Sequence, residues 1–88
     1  MTIHQLSHYL RTQGIAVLSV MSRGRQREGK VVEVGDIELG NNLKIEASEE
    51  GVYQLAWWMP DDNQRVQIGE FESAQVDELV KAIRQARR

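Results

Sequence analysis

The apolar residues of this chain change period twice, and that change constrains the fold more than any motif. Near the start, Ile3, Leu6, Tyr9 and Leu10 recur at helical spacing, and near the end Val76, Leu79, Val80 and Ile83 do the same. Between them the recurrence is every second residue. Leu43, Ile45 and Ala47 alternate with Lys44, Glu46 and Ser48, and Tyr53, Leu55, Trp57 and Met59 alternate with Val52, Gln54, Ala56 and Trp58. A helix, a run of strands and a second helix follow in that order.

Local chemistry places the ends of these elements. Thr2 and Gln5 have capping-box spacing, and Gly14 stands where a left-handed residue closes a helix, so the first helix fills the interval between them. His4, His8 and Arg11 fall on its water-facing side. Ser73 is the expected cap of the last helix, with Asp77 and Glu78 in its first turns and Lys81, Arg84, Arg87 and Arg88 at the end where cations complement the dipole. Ile15–Met21 reads as a strand, apolar on both faces and so inside the sheet. Ser22–Lys30 is polar, aperiodic and carries glycines, and reads as a long basic hairpin loop. Val31–Leu39 reads as the next strand, with a change of apolar parity at Gly35-Asp36 that suggests a bulge in preference to a two-residue turn. Turns are expected at Gly40-Asn41-Asn42, at Glu49-Glu50-Gly51 and at Pro60–Gln64. Val66 and Ile68 continue the core face of the last strand, Gly69 permits a second bulge and Phe71 closes it.

A sheet of this kind must bury one face, and the two amphipathic helices are the cover on offer. The expected architecture is α+β: a two-layer sandwich in which an antiparallel meander of about five strands is flanked by an N-terminal and a C-terminal helix. One domain spans residues 1–88.

Composition narrows the function. At 41% hydrophobic and 27% charged the chain is neither disordered nor fibrous, and it has no cysteine for a disulfide, a thiolate metal site or a nucleophile. Its longest apolar run, Ile15–Met21, is far too short to span a bilayer. The opening Met1–Leu6 has no basic or apolar leader pattern, which predicts a cytoplasmic protein. The net charge of −2 is segregated. Arg11, Arg23, Arg25, Arg27 and Lys30 make the first thirty residues basic, residues 31–80 are strongly acidic, and the last eight are basic again.

Two features stand out as candidate sites. In a strand, neighbours face opposite sides, so Trp57 and Trp58 cannot share a core. Trp57 travels with the core set, which puts Trp58 on the outer face as a candidate interface anchor. The second feature is the basic segment, where Arg23, Arg25, Arg27 and Lys30 could meet carboxylates of a partner or phosphates. An acidic stripe of Glu33, Glu38, Glu46, Glu49 and Glu50 is expected on the outer sheet face. His4 and His8 stand one turn apart but lack a third ligand, and Asp61-Asp62-Asn63 lacks the alternating ligands of a calcium loop, so no metal or cofactor is expected. Ser7, Ser19, Ser22, Ser48 and Ser73 have no nucleophile-elbow context, and the chain does not read as an enzyme. The expectation is a non-catalytic interaction module that binds a protein partner or its own copy, with Trp58, Arg23, Arg25, Arg27 and Lys30 as the contact residues. The alternative is a nucleic-acid binder using residues 23–30 and the C-terminal arginines, ranked lower because the basic segment holds no base-stacking aromatic.

Overall fold

The computed structural model describes residues 1–48, 51–59, 61 and 64–87. It bears out the expected class: helix α1 (Ile3–Thr12), strands β1 (Ser19–Arg27), β2 (Lys30–Gly40), β3 (Leu43–Ala47), β4 (Val52–Met59) and β5 (Gln64–Glu72), and helix α2 (Val76–Ala86). The strands form one antiparallel sheet in the order β1-β2-β3-β4-β5.

Helix α1 is held at both ends by its own sequence. Thr2 Oγ1 accepts from Gln5 N–H at 3.1 Å, and Gln5 Oε1 accepts from Thr2 N–H at 2.7 Å. At the other end Gly14, at φ +79°, turns the chain so that Ile15 N–H reaches Leu10 C=O and Gly14 N–H reaches Arg11 C=O. This double bond pattern satisfies carbonyls that the helix leaves open. Helix α2 starts later than Ser73. Ser73–Gln75 form one turn of 3₁₀-helix, and Gln75 Oε1 reaches back to accept from Glu72 N–H at 3.0 Å.

The core is built from one face of everything. Ile3, Leu6 and Leu10 of α1 and Leu79, Val80 and Ile83 of α2 pack on Ile37, Leu39, Leu43, Ile45, Tyr53 and Leu55 of the sheet. Trp57 and Phe71 are partly buried against the same cluster. Both helices therefore lie on one face. Polar bonds tie them together there: Tyr9 OH donates to Asp77 Oδ1 at 2.7 Å, and Arg84 donates to Gln13 C=O at 2.9 Å. Arg87 donates to the carbonyls of Ala16 and Leu39, anchoring the end of α2 to the start of the sheet.

Three expectations about the first hairpin are corrected. Residues 15–18 are not in a strand. Ile15 is buried and Val17 packs on the core; Leu18 N–H donates to Glu38 C=O at 2.8 Å, but strand pairing with β2 begins only at Ser19. Residues 22–30 are not a loop. β1 and β2 pair without interruption from Ser19↔Glu38 to Arg27↔Lys30, and the chain reverses at Glu28-Gly29, both at positive φ as a tight hairpin requires. Nor is Gly35 a bulge, since its pairs with Ser22 and Ala47 fall in regular register. The irregularities lie instead between Glu38 and Gly40 of β2 and opposite Leu55/Ala56, where Ile68 is the extra residue of β5 beside Gly69 as expected.

The parity change has a different cause. β3 pairs only from Gly35 onward, so residues 30–34 of β2 project past it, paired among the described residues with β1 alone. Ile37 and Leu39 point into the core, while Val32 and Val34 lie on the opposite face of this projecting ribbon. The turns expected at Glu49-Glu50-Gly51 and Pro60–Gln64 include residues 49, 50, 60, 62 and 63, which lie outside the described set, as does Arg88.

Candidate interaction surface

With both helices on the core face, the outer face of the sheet is left without a covering element among the described residues. By register it carries Met21 and Arg23 of β1, Val32, Val34, Asp36 and Glu38 of β2, Lys44 and Glu46 of β3, Gln54, Ala56 and Trp58 of β4, and Arg65 and Gln67 of β5.

Trp58 is on this face, as parity requires, but it is not a bare anchor. Its indole N–H donates to Glu46 Oε1 at 2.9 Å, and the same oxygen accepts from Arg65 Nε at 3.0 Å. The Lys44 ammonium stands 5.5 Å from the ring centroid and the Arg65 guanidinium 6.0 Å, so the ring is flanked by two cations. Arg65 continues to Gln54 Oε1 at 2.9 Å and to Gln67 Oε1 at 3.1 Å, and Lys44 faces Glu38 at 3.7 Å. The β3–β5 side of the face is thus a connected polar network, beneath which Ala56 is fully buried. The partners of Trp58 were absent from the sequence expectation. The pairs Trp58↔Arg65, Lys44↔Ala56 and Glu46↔Gln54 bring them together, and only the cross-strand register reveals that.

The acidic stripe does not form as expected. Glu38 and Glu46 lie on the outer face but are matched with Lys44 and Arg65. Glu33 belongs to the other face and accepts from the N–H of Ile3 at 2.6 Å, at the positive end of α1. Glu49 and Glu50 lie outside the described residues.

The β1–β2 side of the face is different. Arg23 is exposed and Met21 is 58% exposed, with Val34 and Val32 half-buried beside them. Arg23, Arg25 and Arg27 alternate along β1 opposite Val34, Val32 and Lys30. The side chains of Arg25 and Arg27 are outside what the structure describes. The expected contact residues therefore divide. Arg23, Arg25, Arg27 and Lys30 gather on the projecting hairpin, and Trp58 stands three strands away in the polar network. Beside Trp58, an open groove of about 390 Å³ runs between Leu18, Glu38, Asn42, Lys44 and Met59, and Leu18 is 68% exposed at its rim.

His4 and His8 are exposed on α1, and among the described residues no group of three or more histidine or acidic side chains could hold a metal. No helix among them is long and apolar enough to cross a membrane. No known protein family, characterised protein or solved structure matches the chain.

Proposed function

We propose that this chain is a small, non-catalytic interaction module that docks on a protein partner through the outer face of its sheet, with the β1–β2 hairpin as the main contact. The observation that carries this is the one-sided layering: α1 and α2 both pack on the core face, and the opposite face presents exposed Met21 and Arg23 beside half-buried Val32 and Val34, with no covering element among the described residues. Apolar residues on an arginine-rich strand pair make a surface suited to a protein partner of complementary charge. The nucleic-acid reading has less support, because Arg84 and Arg87 are engaged with the carbonyls of Gln13, Ala16 and Leu39. Those bonds make them fasteners of the fold.

Photo-crosslinking tests the assignment. A benzophenone amino acid is placed at Met21 or Gln67 on the outer face, and at His8 or Lys81 on the helices, in a lysate of the source cell with and without nuclease treatment. Protein adducts from the two sheet positions and few from the helix positions are expected. Equal labelling from the helices, or adducts that disappear with nuclease, would overturn it, and an adduct of twice the chain's mass would make the partner a second copy.

A further inference from the structure

The two edges of the sheet are unlike. β5 carries a bulge at Ile68, so its register is irregular. β1 is the opposite case. It runs from Ser19 to Arg27 in unbroken register with β2, has no bulge and no proline, and among the described residues no strand flanks its other side. Half of its main-chain N–H and C=O groups therefore point away from the sheet, a template on which a further strand can add.

The cations of β1 select what can add. Arg23, Arg25 and Arg27 occupy alternate positions of one face, a repeat of about 6.6 Å along the strand. Any strand laid beside β1 has the same repeat, so three of its residues on that face lie next to three arginines. A second copy of β1 would set arginine against arginine, which disfavours self-pairing through this edge. Acidic residues at every second position satisfy all three, and exposed Met21 at the next position of the same face favours an apolar residue there. A nucleic acid would find the cations but no stacking platform, because β1 and residues 30–34 of β2 contain no aromatic side chain.

We propose that the free edge of β1 is a strand-addition site for an extended acidic segment of a protein partner, with acids at alternate positions matched to Arg23, Arg25 and Arg27. This rests on the docking function above and names the element and the partner chemistry that serve it.

The test uses a fluorescein-labelled nine-residue peptide in which glutamate alternates with threonine and one end carries leucine. Two further versions are N-methylated, one at the glutamates and one at the threonines, so that each blocks the main-chain donors of one edge. The unmodified peptide is expected to bind the intact chain, one methylated version to lose binding and the other to keep it. Amide exchange of residues 19–27 should slow in the complex. The triple variant Arg23→Glu, Arg25→Glu, Arg27→Glu is expected to weaken binding by at least about tenfold, from three pairs turned repulsive. Arg23→Lys, Arg25→Lys, Arg27→Lys keeps the charge and keeps binding, which guards against a charge reversal that merely unfolds the ribbon. Equal binding by both methylated peptides reduces the contact to charge alone and overturns strand addition, as does tighter binding of a nine-nucleotide single-stranded RNA. No peptide binding while Met21 still crosslinks to protein overturns strand addition and leaves the docking function standing; loss of both removes both.

Discussion

Gly35 lies mid-strand with an ordinary backbone angle, yet it is the residue whose substitution this fold should tolerate least. A Cβ there would sit 2.0 Å from the Met21 carbonyl oxygen, 3.0 Å from its carbon and 3.1 Å from Ser22 Cα, all of them main-chain atoms that cannot swing away. Since Cβ contacts under 3.0 Å are essentially not found, Gly35→Ala forces β1 back by about 1 Å at the Ser22↔Gly35 rung. A ladder hydrogen bond of about 2.9 Å lengthened by that amount is no longer a bond. Overpacking costs about 1–3 kcal/mol and each lost bond about 0.5–1.5 kcal/mol, while stiffening the unfolded chain returns about 0.4–1 kcal/mol. At the centre of these ranges the net loss is about 2 kcal/mol, which for a domain of this size lowers Tm by about 8–16 °C. The matched control is Gly24→Ala in the same hairpin, where the new methyl would meet only Val31 Cγ1 at 3.2 Å. That variant should stay within about 0.5 kcal/mol of the native chain, since a side chain can yield. Urea and thermal unfolding followed by circular dichroism compare the two. If Gly35→Ala melts within a few degrees of the native chain, or if the two alanines behave alike, the close approach of β1 to β2 is not what holds a glycine there.

Four further outcomes follow from contacts elsewhere in the fold. Glu46→Ala removes the acceptor shared by Trp58 and Arg65 and should cost about 1–2 kcal/mol with a shift in tryptophan emission, whereas Glu46→Gln keeps an acceptor and should cost less. Arg87→Ala uncovers the carbonyls of Ala16 and Leu39 and should lower stability by about 1–2 kcal/mol in urea titrations, more than Arg84→Ala, which frees only Gln13. The hydrogen bond from Tyr9 to Asp77, and then burial, raise the Tyr9 phenol above its ordinary 10.0, so the folded chain holds that proton more tightly than the unfolded one. Stability from this group is complete below pH 10 and is lost as pH climbs through the raised value; Tyr9→Phe should flatten that alkaline loss in a pH series of melts. Leu55→Ala empties the fully buried centre of β4 and should cost about 2–5 kcal/mol in urea unfolding, the range for deleting a packed leucine.

What the sequence disclosed, and what it hid, follow from how much each segment buries. The helices were legible because Ile3, Leu6 and Leu10, and Leu79, Val80 and Ile83, each line one stripe against the core. β3 and β4 were legible for the same reason at period two. The β1–β2 ribbon was not, because its projecting end buries too little apolar surface to impose alternation, and a strand of arginines, glycine and glutamine reads as a loop. Ile15 and Val17 misled in the other direction, since they are buried by the core without a strand partner. Parity placed Trp58 on the outer face, but its contacts with Glu46, Lys44 and Arg65 depend on registers between three strands. The bond from Ile3 to Glu33 was hidden more deeply, since it joins the first turn of a helix to a strand through nothing but tertiary position.

The strand order bears on how the chain reaches its native state. Every strand pairs with the one that follows it in sequence, so each hairpin can zip from its own turn, and the loop entropy of sheet assembly comes in small steps. Closure of the ends is the exception. Tyr9 to Asp77, Arg84 to Gln13 and Arg87 to Ala16 join residues separated by nearly the whole chain. These clasps cannot form until the sheet between them exists. Mutations there should speed unfolding and leave the folding rate almost untouched, with φ-values near zero, whereas Gly35→Ala, inside the first hairpin, should slow folding itself. The two ends of the chain would then act as a latch that sets how long the native state lasts, and the meander sets how fast it is found.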